Sequence, residues 1–141
     1  MEVTYYPGLT NAEKALIAEK PREALRVYSA MNRAERLTFK YLKRSGERDE
    51  SDAFRHFAWA GLLVMELGAD TAQGFLDAHE AAPGNPADEK AMDLANNRAG
   101  ILEANRLKAS GELSEGAVEA RAIDALKQGK LVILKPRGGV P

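Results

Sequence analysis

From Phe57 to Leu67 the chain reads FAWAGLLVMEL, apolar nearly all the way round a helical turn. A helix with no polar face must be surrounded by other elements, so this segment predicts the buried centre of a helical bundle. Asp49, Ser51 or Asp52 caps its start, and Gly68 stops it. The flanking sequence supplies the shell. Thr10 with Glu13 has capping-box spacing, and Asn32 with Glu35 repeats it. Pro21 suits a first helical turn, where its missing N–H has no partner to lose. These signals predict helices over 11–19, 21–31 and 33–45, the third ending at Gly46. Asp70 with Gln73 predicts a helix running to Ala82, where Pro83-Gly84-Asn85-Pro86 breaks it. A longer helix follows from Pro86 to about Ser110, and Ser114 caps a last one ending near Gln128-Gly129.

The expected fold is therefore all-α, a compact bundle of about six or seven helices with an extended C-terminal tail. A chain of 141 residues fits one domain, placed at 1–135, with 136–141 as a flexible tail. Lys130 to Lys135 (KLVILK) predicts either a short strand or a docked extended segment. The absence of cysteine excludes disulfides, thiolate metal sites and a cysteine nucleophile. The first residues lack the charged-then-apolar pattern of a secretory leader, and no apolar run reaches the length of a membrane span. The chain is expected to be soluble, cytoplasmic in the cell that makes it, or exported by a route that reads no leader.

Charge is unevenly placed. Residues 1–48 carry a net +4, residues 49–100 a net −7, and residues 101–141 a net +2. The acidic middle favours a cation, a metal or a positively charged group, or else forms solvated helix faces. Basic residues are scattered over several helices and the pI is about 6.2, so nucleic acid is an unlikely partner.

Both histidines fall in that acidic middle. Asp52, His56, Trp59 and Leu63 share one helical stripe, where the Asp can orient the imidazole one turn away. His79 continues the apolar face formed by Phe75 and Leu76, with Glu80 beside it. Asp93, Asn96, Asn97 and Gly100 form a continuous polar stripe in MDLANNRAG. Adjacent asparagines are poor helix formers, so they imply fixed hydrogen bonds, either to a ligand or within a network that locks helices together. Gly100 leaves room for close approach. Together these groups make an inventory suited to hydrolysis. His56, His79, Glu80 and Asp93 are the catalytic candidates. Asp52, Arg55, Trp59, Asn96 and Asn97 are the substrate-binding candidates. If a metal is bound, His56, His79 and Asp93 are its expected ligands, in a site suited to one divalent ion such as Zn²⁺, Mn²⁺ or Fe²⁺.

The series AFRHFAW, FLDAHE and MDLANNRAG, with LTNAEKALIAEKP upstream, resembles an uncharacterised bacterial helical domain that carries AFRHxxW, AHE and MDLxNNxxG motifs. That domain occurs alone and in toxin-like secreted proteins. The resemblance implies a bacterial origin and strengthens His56, His79, Glu80, Asp93, Asn96 and Asn97 as site residues. It leaves the substrate open. A weaker similarity, to HD-type metal-dependent phosphohydrolases, fails on spacing and on the His-Glu pair.

Three functions fit. The first is a small hydrolase, an exported effector or toxin domain acting on an envelope component, with a cognate inhibitor protein as partner. A metal-free form would use Glu80 and Asp93 on a glycan. The second is a non-catalytic module that binds a ligand or a protein through the same pocket. The third is a metal-dependent phosphohydrolase or nuclease toxin.

Overall fold

The computed structural model describes residues 9–141; residues 1–8, which the sequence reading includes in its single domain, lie outside the described residues. Among the described residues six helices form an all-α bundle: α1 (Asn11–Glu19), α2 (Pro21–Leu42), α3 (Glu50–Leu67), α4 (Ala69–His79), α5 (Ala87–Ala109) and α6 (Glu115–Lys127). The helix apolar all round, α3, lies at the centre and packs against α2, α4, α5 and α6. Phe54, Phe57, Leu62, Leu63 and Val64 on it are all buried.

Two glycines set how closely the shell approaches α3. A Cβ on Gly100 of α5 would lie 2.4 Å from the Phe57 carbonyl oxygen, so only glycine lets α5 press against the α3 backbone at this point. The room expected there is filled by a helix rather than by a ligand. A Cβ on Gly61 of α3 would lie 2.7 Å from Val118 Cγ1, which seats α6. No helix is long and apolar enough to cross a membrane among the described residues.

Where the sequence predicts two helices over 21–45, there is one. Ala24, Val27, Tyr28, Ala34, Thr38 and Leu42 bury one continuous face across Asn32. Neither Gly nor Pro interrupts it, so packing on α3 outweighs a capping-like Asn. The helix ends at Leu42, with Lys43 left-handed at φ 60°, ahead of the expected stop at Gly46. In α4 the N-cap is Gly68 and Asp70 sits inside the first turn. That helix stops at His79, three residues short of Ala82. The Thr10–Glu13 capping box forms as predicted, and Ser114 caps α6 through the Ala117 N–H.

Lys130 to Lys135 forms no strand; the segment is irregular, with bends at Leu131, Leu134 and Lys135, and docked. Leu131 is buried, and the Val132 N–H and C=O both pair with the Asn96 side chain at 2.9 Å. Farther on, the amides of Arg137 and Gly138 donate to the Glu50 carboxylate, at 2.9 and 3.0 Å.

Candidate functional site

The first turn of α3 is built from buried acids. Asp49 caps it, accepting from the Ser51 and Asp52 amides and from Ser51 Oγ. Arg44 Nε binds the other oxygen of Asp49 at 2.9 Å. Three buried acids at a helix N-terminus gain from the unpaired N–H groups and the helix dipole there. This anchoring fixes Asp52, which points along the helix toward His56. Asp52 Oδ2 accepts from the Arg48 amide at 2.7 Å, and Oδ1 accepts from Arg55 Nη2 at 2.8 Å.

His56 is buried at the meeting point of three carboxylates on three helices or their ends. Its Nδ1 is 3.0 Å from Asp52 Oδ1, 3.0 Å from the Asp52 carbonyl oxygen and 3.6 Å from Asp93 Oδ1. All three are acceptors, so Nδ1 carries the proton. Nε2 faces Glu80 Oε2 at 3.4 Å. Burial alone would push the imidazole down. Hydrogen bonds to Asp52 and Glu80 and the charges of Asp93 and Asp52 outweigh it and raise His56 to about 10. At neutral pH the ring is an imidazolium.

The carboxylates respond unequally. Burial raises Asp52 and Glu80, but bonding to His56 and its charge prevail, and both are held below their ordinary values. Asp93 is raised to about 7 by burial, and the charges of Asp52 and Glu80 outweigh the pull of His56. Glu80 and Asp93 meet the same ring at its two nitrogens, Nε2 at 3.4 Å and Nδ1 at 3.6 Å.

This centre opens on a cavity of about 320 Å³. His56, Glu80 and Asp93 line one side, with Trp59, Met31 and His79; Glu35, Ser45, Glu47 and Arg55 complete the wall. Arg55 is held in place, donating to Ser45 Oγ at 2.6 Å and to the Gly46 carbonyl at 3.1 Å besides Asp52.

A family model described as a domain of unknown function, DUF6973, matches residues 14–130, which take in α2 to α6, most of α1 and His56, Asp52, Glu80 and Asp93. The chain is a DUF6973 domain. No curated protein and no solved structure matches it.

Within the DUF6973 domain the sequence-derived candidates divide into two groups. Asp52, Arg55, His56, Trp59, Glu80 and Asp93 come together at or directly behind the cavity. Trp59 is tied down by its Nε1 donating to the Val27 carbonyl at 3.0 Å, so its ring is a fixed wall. His79 reaches the cavity but is separately engaged. Its Nδ1 donates to Glu13 Oε2 at 2.9 Å, and its ring meets Trp59 edge-on at 5.1 Å. Asn96 binds the backbone of Val132, and Asn97 is buried in the helix interface.

The residues the DUF6973 domain can offer a metal differ from the expected His56, His79 and Asp93. Among the described residues, Asp52, His56 and Asp93 place one ligand atom each within 4.8 Å of one another, and this buried cluster can hold a metal ion. Donor atoms bound to one ion at about 2.0–2.2 Å stand roughly 3–3.5 Å apart. The observed 3.0 and 3.6 Å separations fit that polyhedron. His79 is outside it because Glu13 holds its Nδ1.

Sequence reasoning missed Glu13, Arg44 and Arg48. Glu13 reads as half of a capping box, which it is, yet its second oxygen also takes Tyr28 Oη and His79 Nδ1. Nothing local signals a partner 66 residues away. Glu35, Ser45 and Glu47 also line the cavity; Glu35 reads as half of a capping box but lies within α2, and Ser45 and Glu47 belong to the loop after it, which carries no motif.

Proposed function

We propose that this DUF6973 domain is a hydrolase whose water-activating group is the Glu80–Asp93 carboxyl pair seated on His56. One observation carries the reading. Two cavity-lining carboxyls meet one buried histidine, Glu80 Oε2 at 3.4 Å from Nε2 and Asp93 Oδ1 at 3.6 Å from Nδ1, and their acidities are pushed in opposite directions, Glu80 down and Asp93 up to about 7. Displaced pairs of this kind divide the work of acid and base near neutral pH.

In that reading Glu80, ionised, takes a proton from water as its oxygen attacks a carbonyl carbon. Asp93, protonated, gives its proton to the carbonyl oxygen. Collapse of the tetrahedral species breaks the ester or amide bond as the proton on Glu80 passes to the leaving group and a hydroxyl proton returns to Asp93, which restores both carboxyls to their starting states. The imidazolium of His56 touches both carboxylates and keeps them in place. Glycan cleavage fits less well. Glycosidase carboxyls stand about 5–9.5 Å apart to flank a sugar ring, whereas these two converge on one imidazole ring. A phosphoester is disfavoured by a wall carrying Glu35, Glu47, Glu80 and Asp93. In the toxin-like setting that the motif series implies, the substrate is an amide- or ester-bearing envelope component and the partner a cognate inhibitor protein.

The test is turnover in ¹⁸O water on a panel of amides, esters and phosphoesters, with Asp93→Asn and Glu80→Gln beside the parent. Label should enter the product carboxylate, and each variant should lose roughly 100-fold or more while keeping its helical spectrum. A folded parent that binds ligands and turns over nothing supports the binding-module reading instead.

A second reading is favoured by the Asp52–His56–Asp93 cluster, which would hold one divalent ion. Bound there, such an ion supplies Lewis acidity and an acidified water. His56 and Asp93 must give up protons to bind it, so affinity should rise steeply with pH. Metal content and Zn²⁺ or Mn²⁺ titration at pH 6 and 8 decide the point. No binding at either pH removes this reading.

A further inference from the structure

Asp52 is the hinge of the His56 centre, and what holds Asp52 is Arg48. The Arg48 amide donates to Asp52 Oδ2 at 2.7 Å, leaving Oδ1 to face His56 and Arg55. Arg48 presents that amide from a left-handed backbone at φ 67°, a conformation L side chains rarely adopt. Such a conformation persists only where neighbours hold it from more than one side. On one side its guanidinium is paired with Glu89 and Asp88. On the other its carbonyl accepts from the Lys135 amide at 2.8 Å.

Lys135 lies in the middle of a segment held down at both ends. Asn96 grips Val132 before it, and the buried Glu50 carboxylate accepts two amides after it. Every one of these bonds reads the segment's main chain. The segment therefore seats as a unit, and its seating fixes where the Arg48 carbonyl points.

We propose that the C-terminal segment 131–138 is a working part of the site, with Arg48 as the positioning residue that transmits its docking to Asp52 and so to His56. The proposal rests on the reading of the His56 centre as the active site. Its chain of contact runs from the Lys135 N–H through the Arg48 peptide unit to Asp52 and on to His56. Loss of the segment leaves α3 intact but frees Arg48 to leave its left-handed conformation, which withdraws the amide from Asp52.

The test uses NMR on two resonances that report geometry whether or not a substrate is known, the Arg48 amide proton and the His56 Nδ1 proton. A chain ending after Gly129 should keep its helical spectrum and lose both strongly hydrogen-bonded signals. Adding a synthetic peptide of residues 130–141 should restore them. A folded truncated chain that keeps both signals overturns the proposal. Should the truncated chain not fold, a point pair decides. Lys135→Pro deletes the N–H that Arg48 uses, besides fixing φ at 135 and restricting Leu134, and Lys135→Ala keeps the N–H. The proline variant should shift the Arg48 signal and lower turnover roughly threefold to tenfold against the alanine variant, as expected for one lost hydrogen bond. Identical spectra for the pair overturn the proposal. Shifted signals in a parent without turnover leave the positioning standing and remove the hydrolase reading alone.

Discussion

Replacing His56 with Gln tests the electrostatics of the centre. Gln keeps the bulk and some hydrogen bonding but leaves Asp52, Glu80 and Asp93 facing one another without the cation they share. His56 is 7% exposed, so water cannot take its place freely. Removing one partner of a buried ion cluster costs about 3–5 kcal/mol. In a domain of this size 1 kcal/mol moves Tm by roughly 3–4 °C, so the variant should melt about 10–15 °C lower at pH 7. The pH dependence is the sharper check. His56 rises from 6.5 unfolded to about 10 folded, so its contribution is fully present below pH 6.5 and is lost as pH climbs through 10. At low pH the three carboxylates become protonated in the variant, and their mutual repulsion disappears. The gap between parent and variant should therefore peak near pH 6–7 and narrow at both pH 4 and pH 10. Thermal melts at those three values measure it. A gap that is absent, or equal at all three, would refute the account of His56 as an imidazolium holding three carboxylates.

Asp93→Asn should move stability the other way. Asp93 rises from 3.8 to about 7, so its contribution is present below pH 3.8 and lost as pH rises through 7. At pH 8 the Asn variant should be more stable by about 1–2 kcal/mol in urea melts, with the advantage gone at pH 4. Lower stability at pH 8 would show that Asp93 is held as an ordinary ionised partner of His56. Gly100→Ala should destabilise despite the roughly 1 kcal/mol that alanine gains in a helix. Its methyl would sit 2.4 Å from the Phe57 carbonyl, and overpacking of that kind costs typically 1–3 kcal/mol or more. A Tm at or above the parent's would mean that α5 shifts on α3 without penalty.

The fold was legible where local chemistry decides it. The Thr10–Glu13 box, Pro21, the Asp49 cap and Ser114 all begin helices as their side chains require. The Asp52–His56 contact follows from i,i+4 spacing on one helix. Illegible features depend on distant partners. Asn32 carries a cap signature, but the buried face of α2 runs through it because α3 lies alongside. Of the fixed hydrogen bonds implied by Asn96 and Asn97, those of Asn96 form, to Val132 in a segment with no helical signal, while neither side-chain polar atom of Asn97 has a partner among the described residues. His79 sits one residue from Glu80 in sequence. It turns to Glu13, while Glu80 turns to His56, a split set by how α1 packs against α4.

The contrast among buried polar groups separates scaffold from site. Glu13 has both oxygens engaged, by the Thr10 amide, Tyr28 Oη and His79 Nδ1. Glu50 takes Arg44 and two tail amides. Asn96 uses both its donor and its acceptor on Val132. These are groups whose burial is offset by complete bonding, as a structural role requires. Glu80 Oε2 and Asp93 Oδ1 are different. Among the described residues neither has a hydrogen-bond partner, although both are buried and both belong to carboxyls that line the cavity beside His56. Asn97 and Arg33 Nε also lack a partner among the described residues, but Glu80 and Asp93 are the unpartnered groups on the cavity wall. Unsatisfied buried acceptors are destabilising, and proteins retain them mainly where the group must meet something that comes and goes. A proton, a water or a cation each answers that description. Each of the three has a place in the proposed hydrolysis, and a bound water would also complete a structural network.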